Sequence, residues 1–497
     1  MLRTRVLPYL RLPAWAGLLA VLLAACRTTS ESTSENTTAA LAHTQTMGEV
    51  AVWLTTADRT AQLVRMSAPV RFASRNDAAA QISIAPDQRY QRMLGFGAAI
   101  TDASAWLIQH RMSPSQRQAL LRELFGREDD GIGFDFTRLT IGASDFSRSH
   151  YSLNDVQNGL ADPALEHFSI AANRDDVIPV TKAALAVNPQ LFVMASPWSA
   201  PGWMKDSGSL ITGRLLPRYY QTFARYLLRY VEAYAQEGIP ISALTLQNEP
   251  AFEPKDYPGM RMNAPARAQL IGRHLGPMLA GRQPRVEIFD WDHNWDQPAE
   301  PLAVLQDARA RAYIAGVAWH CYGGDVSAQS QVHAAFPDKD VYMTECSGGD
   351  WEPVRSGGLT GQVRSLIVNT SRHWARGILF WNLALDENGG PHTGGCDTCR
   401  GVVTINTRSG EVSRTDDYYA LAHVSRFVRR GAWRVESSAG RDGLDNVAFI
   451  NADDQSRVLV VVNSDAEQRN FTVRERQRAF DYTLPGNSVA TFVWGAR

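Results

Sequence analysis

Eight short apolar runs, each followed by a helix-like or long polar stretch, dominate the middle of this sequence and restrict what it can fold into. They fall near Met93–Ala98, Phe134–Ile141, Gln190–Ser196, Ser242–Asn248, Val286–Trp291, Ile314–Tyr322, Val341–Cys346 and Gly377–Leu383, and each has strand length and strand-like composition. The clearest amphipathic stretch between them, Pro217–Gln236, repeats Tyr219, Phe223, Tyr226, Leu227 and Tyr230 at helical spacing. Further helices fit near Ser113–Phe125, Asp175–Val187, Ala264–Ala280, Pro301–Tyr313, Thr360–Trp374 and Asp416–Phe427. Eight strands alternating with helices predict an α/β fold, a closed (β/α)8 TIM barrel over residues 91–428, with an active site at the carboxyl ends of the strands.

The flanks read differently. Val50–Leu54, Leu63–Met66 and Gln81–Ile84 before the barrel, and Leu444–Asn451, Arg457–Asn463, Asn470–Val473 and Ser488–Trp494 after it, are short strands separated by turns. They predict an attached antiparallel β-sandwich domain built from both chain ends, residues 49–90 and 429–497. At 497 residues the chain is long enough for both domains. A net formal charge of −1 without a charge block gives no sign of a nucleic-acid partner or of electrostatic membrane binding.

Residues 1–26 read as a targeting segment. Arg3, Arg5 and Arg11 precede an apolar run, Ala14–Ala25, too short to span a bilayer comfortably. The run ends in Leu23-Ala24-Ala25-Cys26, which resembles the lipobox of bacterial lipoproteins; an ordinary secretory leader is the alternative. Residues 27–48 then read as a solvated tether, rich in Ser, Thr, Glu and Asn. The expectation is an exported protein of a bacterial envelope, touching the membrane only through a lipid at Cys26, or a secreted one.

Two of the eight strands deliver a carboxylate at their end. Leu246-Gln247-Asn248-Glu249-Pro250 closes the fourth and Val341-Tyr342-Met343-Thr344-Glu345 the seventh. A glutamate at a strand end is by itself most often a surface residue. Two of them across a barrel mouth are what cleavage of a sugar acetal requires, one to protonate the leaving oxygen and one to attack the anomeric carbon. Asn248 adds an amide able to bond the sugar's 2-hydroxyl, and Pro250 turns the chain away and fixes the direction of Glu249. Several of the 13 tryptophans lie beside glycines and polar residues at strand ends, where indole faces could stack on sugars, although core packing also accounts for them.

Four cysteines follow Cys26. Cys396 and Cys399 form a C-x-x-C in a Gly-rich loop with no second C-x-x-C and no nearby histidine pair, so a small disulfide-closed loop is expected rather than zinc. Cys321 and Cys346 each follow a candidate site residue; buried free thiols are expected there, with a bridge as the alternative. No metal or organic cofactor is implied.

Several ordered segments carry a family resemblance: Leu94-Gly95-Phe96-Gly97-Ala98-Ala99-Ile100-Thr101-Asp102, Ala143-Ser144-Asp145-Phe146-Ser147, Ala195-Ser196-Pro197-Trp198-Ser199-Ala200-Pro201-Gly202-Trp203-Met204-Lys205, Gln247-Asn248-Glu249-Pro250 and Trp381-Asn382-Leu383-Ala384-Leu385. Over roughly Val50 to Trp494 the chain resembles glycoside hydrolase family 30, the family of lysosomal glucosylceramidase. The resemblance implies a retaining β-glycosidase working by double displacement, with Glu249 as acid/base and Glu345 as nucleophile. Glu249 is then expected to be protonated, its pKa raised by burial and by the charge of Glu345. Arg138 either helps to keep Glu345 ionised or forms a structural ion pair. Asp102, Trp198 and Trp381 match positions that hold the glucose; read without the resemblance, Asp102 is a helix cap and the indoles are core. His320 and Tyr322 match a His-x-Tyr pair whose tyrosine orients the nucleophile, a lone histidine there being otherwise a core group.

Two features depart from the lysosomal pattern. Cys346 follows Glu345 directly, and the loop Pro391–Arg400 after the eighth strand carries the C-x-x-C. Both loops line the aglycone side, so the substrate expected is a β-glucoside or β-glucan, either glucosylceramide-like or β-1,6-linked. Xylan or another β-glycan is an alternative, as is an inactive surface glycan-binding protein. Trp203, Trp291, Trp295 and Trp351 are candidate aglycone platforms, with ordinary packing the competing reading.

Overall fold

The computed structural model describes residues 48–68, 70–74, 82–156, 160–351, 358–440 and 443–496. The leader, Cys26 and the tether up to residue 47 lie outside the described residues. Among the described residues no helix is long and apolar enough to cross a membrane.

Eight parallel strands close into a barrel: β1 (Gly95–Ala99), β2 (Phe136–Ile141), β3 (Phe192–Pro197), β4 (Ala243–Thr245), β5 (Glu287–Asn294), β6 (Ile314–His320), β7 (Asp340–Glu345) and β8 (Ala375–Asn382). Each coincides with one of the expected runs. The expected helices also form, for local reasons that can be named. Ser113 and Gln116 make a capping box with Pro114 in the first turn, which starts the helix Pro114–Phe125. The helix Tyr220–Gln236 buries Phe223, Tyr226, Leu227, Tyr230 and Tyr234 as one face. Helices at Asp102–His110 and Ser327–Ala335, and a small sheet of Ala384–Asp386, Val403–Ile405 and Val412–Arg414, go beyond the sequence expectation.

Alternation along the strands positions the site. Phe136, Phe192, Met194, Ala243, Phe289, Ala318, Tyr342 and Leu379 form a buried apolar cluster in which Phe289 stacks on Tyr342 at 3.9 Å between ring centroids. Two residues further along the strands, the same face carries Arg138, Ser196, Thr245, His320, Thr344 and Trp381, all buried. An apolar plug therefore underlies a polar layer at the carboxyl end of the barrel.

The second sheet draws on both chain ends, as expected. Glu49–Thr56 pairs with Ser488–Trp494, and Ile82–Arg92 pairs with Trp433–Ser437, so the N-terminal strands are inserted among the C-terminal ones. It is mostly antiparallel, with one parallel pair between Ile82–Arg92 and Arg469–Glu475. Its core includes Val52, Leu459, Val461, Phe471, Phe480 and Phe492.

Candidate active site

Glu345 is the last residue of β7, and the register of β6 and β7 sets it beside His320 after a shift that bulges Thr344. Glu249 lies beyond β4 in a left-handed conformation, φ 49°, with its N–H donating to Asp292 O at 3.0 Å. Such a conformation is costly for a residue with a side chain and persists only where its surroundings impose it. The N–H of Asn248 donates to Pro197 O at 2.8 Å, so the segment leaving β4 is pinned between β3 and β5. One carboxylate oxygen of Glu249, one of Glu345 and a ring nitrogen of His320 all lie within 4.8 Å of one another. The trio has donor atoms a cation could use, but the guanidinium bonded to Glu345 opposes one.

Arg138, fully buried on β2, ties the layer together. Its Nη1 donates to Glu345 Oε2, and its Nη2 donates to Asn248 Oδ1 at 2.8 Å and to Asp292 Oδ2 at 2.7 Å. With its oxygen turned to the arginine, the Asn248 amide has its NH₂ left to offer. The guanidinium also lies 4.7 Å from the Trp198 ring and 5.4 Å from that of Trp381, and the two indoles stack at 5.0 Å. Tyr322, 46% exposed as a residue, donates to Glu345 Oε1 at 3.0 Å. Both oxygens of Glu345 thus accept hydrogen bonds, the arrangement of an ionised carboxylate.

Asp292 escaped the sequence reading. It follows Trp291 on β5, and both have left-handed backbones, φ 77° and 56°, where the β5–β6 register slips. Its carboxylate accepts from Arg138, Ser196 (2.8 Å), Thr245 (2.7 Å), Thr344 (2.7 Å) and His320 Nε2 (3.0 Å). Burial opposes its charge, but Arg138, His320 and Thr344 hold it far below the usual carboxylate range.

His320 is brought to the glutamate pair rather than left in the core. Its Nδ1 lies 3.2 Å from Glu249 Oε1 and 4.0 Å from Glu345 Oε1. Burial alone disfavours the imidazolium, yet the charge of Glu345 and the bonds to Asp292 and Glu249 raise its pKa to about 9. Glu249 answers in the opposite direction to the one expected. Burial pushes it up, but the hydrogen bond from His320 and the charges of His293, His320 and Arg138 outweigh this and hold it below its ordinary value. Burial raises Glu345, against the pull of His320 and Arg138. These opposite directions place the proton of the Glu249–His320 hydrogen bond on the imidazole.

Two aspartates lie near the Trp198–Trp381 pair. Asp102 is the first residue of its helix, capped by Thr101, and its Oδ2 accepts from Ser147 (2.7 Å) and Tyr151 (2.8 Å). Burial raises it to about 6, against the hydrogen bonds from Ser147 and Tyr151, and its Oδ1 is buried without a partner among the described residues. Asp145, in the loop after β2, is raised to about 8 by burial and by the charges of Glu345 and Glu249. Its Oδ1 is buried without a partner among the described residues. Tyr257, also unsuspected, feels Asp145, Glu249 and Glu345, and burial drives its pKa far up.

The remaining expectations divide. Trp291 and Trp295 are buried in the main core, and the Trp291 Nε1 donates to Asn294 O at 2.9 Å. Trp203 is half-buried with its Nε1 bonded to Asn154 O at 3.0 Å, and Trp351 packs beside the Trp198–Trp381 cluster. Cys396 and Cys399 form the expected bridge. Cys321 and Cys346 are also bridged, against the expectation of free thiols: they flank the paired His320 and Glu345, and their Cα atoms are 5.5 Å apart.

Residues 93–428 match the model of the glycosyl hydrolase family 30 TIM-barrel domain, and residues 431–492 that of the family's beta sandwich domain. An endo-1,6-beta-D-glucanase of Neurospora crassa is 34% identical, covering 89% of this chain and 94% of that protein. The lysosomal acid glucosylceramidase of Mus musculus is 29% identical, covering 85% of each. The solved endo-beta1,6-glucanase BT3312 superposes with a TM-score of 0.82 at 33% identity, covering 90% of this chain and 100% of that one. With both domain models matched in order and the glutamate pair in place at the barrel mouth, the chain belongs to glycosyl hydrolase family 30.

Proposed function

We propose that this enzyme hydrolyses β-linked glucose with retention of configuration, with Glu345 as nucleophile, Glu249 as acid/base and a β-1,6-linked glucan as its first substrate. The carrying observation is the contact between the glutamates, whose nearest oxygens lie within 4.8 Å. Retaining enzymes hold their carboxyls about 5–5.5 Å apart, whereas inverting ones need about 6.5–9.5 Å to admit the attacking water.

In the first step a Glu345 oxygen bonds to the anomeric carbon while the bond to the leaving oxygen breaks and that oxygen takes a proton from Glu249. The charge of Glu345 is the strongest of the influences that hold a proton on His320. As that charge is spent in the new C–O bond, the imidazole gives up its proton along the 3.2 Å contact to Glu249, which passes it on. In the second step water attacks the anomeric carbon, its proton returns to the Glu249–His320 pair, and Glu345 leaves as carboxylate. Asn248 offers its NH₂ to the 2-hydroxyl, a bond that strengthens in the transition state. Trp198 and Trp381 wall the sugar. Asp145 and Asp102 each keep a buried Oδ1 without a partner among the described residues and each take a sugar hydroxyl, Asp102 with its Oδ2 held by Ser147 and Tyr151.

The glucanase relatives support the glucan over ceramide, as do the departures of the loops after β7 and β8 from the lysosomal pattern. Export with a lipid at Cys26 is part of the same reading, supported by the leader and by two disulfides that suit an oxidising compartment. The test is a product profile on β-1,6-glucan, β-1,3-glucan, xylan and glucosylceramide, with the anomer formed first read by NMR. A β-anomer from β-1,6-glucan is expected. An α-anomer would overturn the mechanism, and saccharide binding without turnover would favour a glycan-binding protein. Mass spectrometry of the mature N-terminus decides the anchor.

A further inference from the structure

The C-x-x-C loop does more than close on itself. From Thr393 to Arg400 it is laced to three other loops of the barrel mouth. Toward the loop after β2, the N–H of Thr393 donates to Asp145 O at 2.9 Å and its hydroxyl to Ser147 O at 2.7 Å. Toward the loop after β4, the N–H of Gly395 donates to Asp256 Oδ2 at 3.1 Å. Toward the loop after β7, Gly349 pairs with Cys399, the N–H of Asp350 donates to Thr398 O, and the N–H of Arg400 to Gly348 O. The disulfide itself packs with Phe146, Trp198, Trp381 and Leu385.

At the centre of this lacing Gly395 lies against Asp145. Gly395 has φ 79°, and a Cβ there would lie 2.6 Å from Asp145 Cβ and 3.0 Å from its Oδ2. Only a bare backbone fits, in a conformation that favours glycine. The contact shuts one side of a carboxyl whose Oδ1 has no partner among the described residues and which is 9% exposed. An unpartnered buried oxygen is costly unless a ligand completes it.

We propose that the Cys396–Cys399 disulfide is a specificity-determining device: it holds Gly395 on Asp145, so that the carboxyl meets one sugar hydroxyl in a fixed place and water is kept from it. The proposal rests on the reading of Asp145 as a sugar contact. Opening the loop wets the carboxyl and frees its rotamer, which weakens ground-state and transition-state binding alike and so raises KM more than it lowers kcat.

The experiment compares wild type with Cys396→Ala/Cys399→Ala, Gly395→Ala and Asp145→Asn, using aryl β-glucoside and its C4 epimer, the aryl β-galactoside. Glucose affinity is measured by calorimetric titration alongside, so that a chain that binds without turnover still tests the loop. A wild type that neither cleaves the glucoside nor binds glucose would defeat the sugar-site reading itself, a result separate from any effect of the loop. Expected is a KM or Kd increase of about tenfold and a matching fall in glucoside preference in all three variants, with kcat within about threefold. Gly395→Ala keeps both disulfides and decides the matter if the double variant does not fold. A lower melting temperature with unchanged KM and preference in the loop variants, while Asp145→Asn loses them, would overturn the proposal.

Discussion

Asp292 and Asp145 are two buried aspartates within the reach of one active site, and they are treated in opposite ways. Asp292, under the glutamates, receives five hydrogen bonds and is held far below the usual carboxylate range. Asp145, beside them, keeps a bare oxygen and is raised to about 8. A saturated carboxylate fixes the field in which protons and charges move, while an unsaturated one waits for a ligand to complete it. On the proposed reading, chemistry and selection fall to different parts of the barrel mouth, strand ends for the first and disulfide-laced loops for the second.

Substitutions should separate the two parts. Glu345→Ala, in the floor, should lower kcat about 10⁴-fold or more, and Glu249→Ala about 10²–10⁴-fold, with azide rescue of an activated glucoside giving the β-glycosyl azide in Glu249→Ala and the inverted α-glycosyl azide wherever it rescues Glu345→Ala. Steady-state kinetics with and without azide checks both. Asp292→Ala leaves Arg138 buried with one counter-charge fewer, and should destabilise the protein by about 3–5 kcal/mol in urea unfolding. Asp145→Asn should leave stability nearly unchanged and act on KM. Equal unfolding losses for the two aspartates would erase the contrast.

The pH dependence sharpens the same contrast. Activity needs the proton shared by Glu249 and His320, and should fall as pH rises through about 9, where His320 loses it. On the acid side it should fall as Glu345 takes up a proton, at a pH above the ordinary glutamate range because burial raises it. In His320→Gln the alkaline limb should move down by about one unit or more, since Glu249 must then hold the proton alone. An alkaline limb unmoved in that variant would show that the imidazole is only a spacer. Asp102→Asn should leave both limbs in place and act on KM, by about threefold to tenfold, because its Oδ1 also lacks a partner among the described residues.

Alternation of apolar strands and amphipathic helices made the barrel legible in the sequence, and strand-end position made Glu249 and Glu345 legible. Asp292 was hidden because two consecutive left-handed residues break the alternation that ended the reading of β5 at Trp291. Asp145 lies in a loop, where side-chain direction depends on tertiary neighbours such as Gly395. Cys321 and Cys346 are 25 residues apart and meet only through the register of β6 and β7. The downward direction of Glu249 is not legible in the sequence because His320, which bonds it, comes from a strand that is distant in sequence.

The central claim is that Glu345 bonds covalently to the sugar. Incubation with an activated 2-deoxy-2-fluoro-β-glucoside, followed by peptic digestion and mass spectrometry, tests it most directly. The account predicts stoichiometric inactivation and one labelled peptide, with the fluoroglucosyl group on Glu345. A label on Glu249, or turnover of glucosides with no covalent species formed, would contradict it.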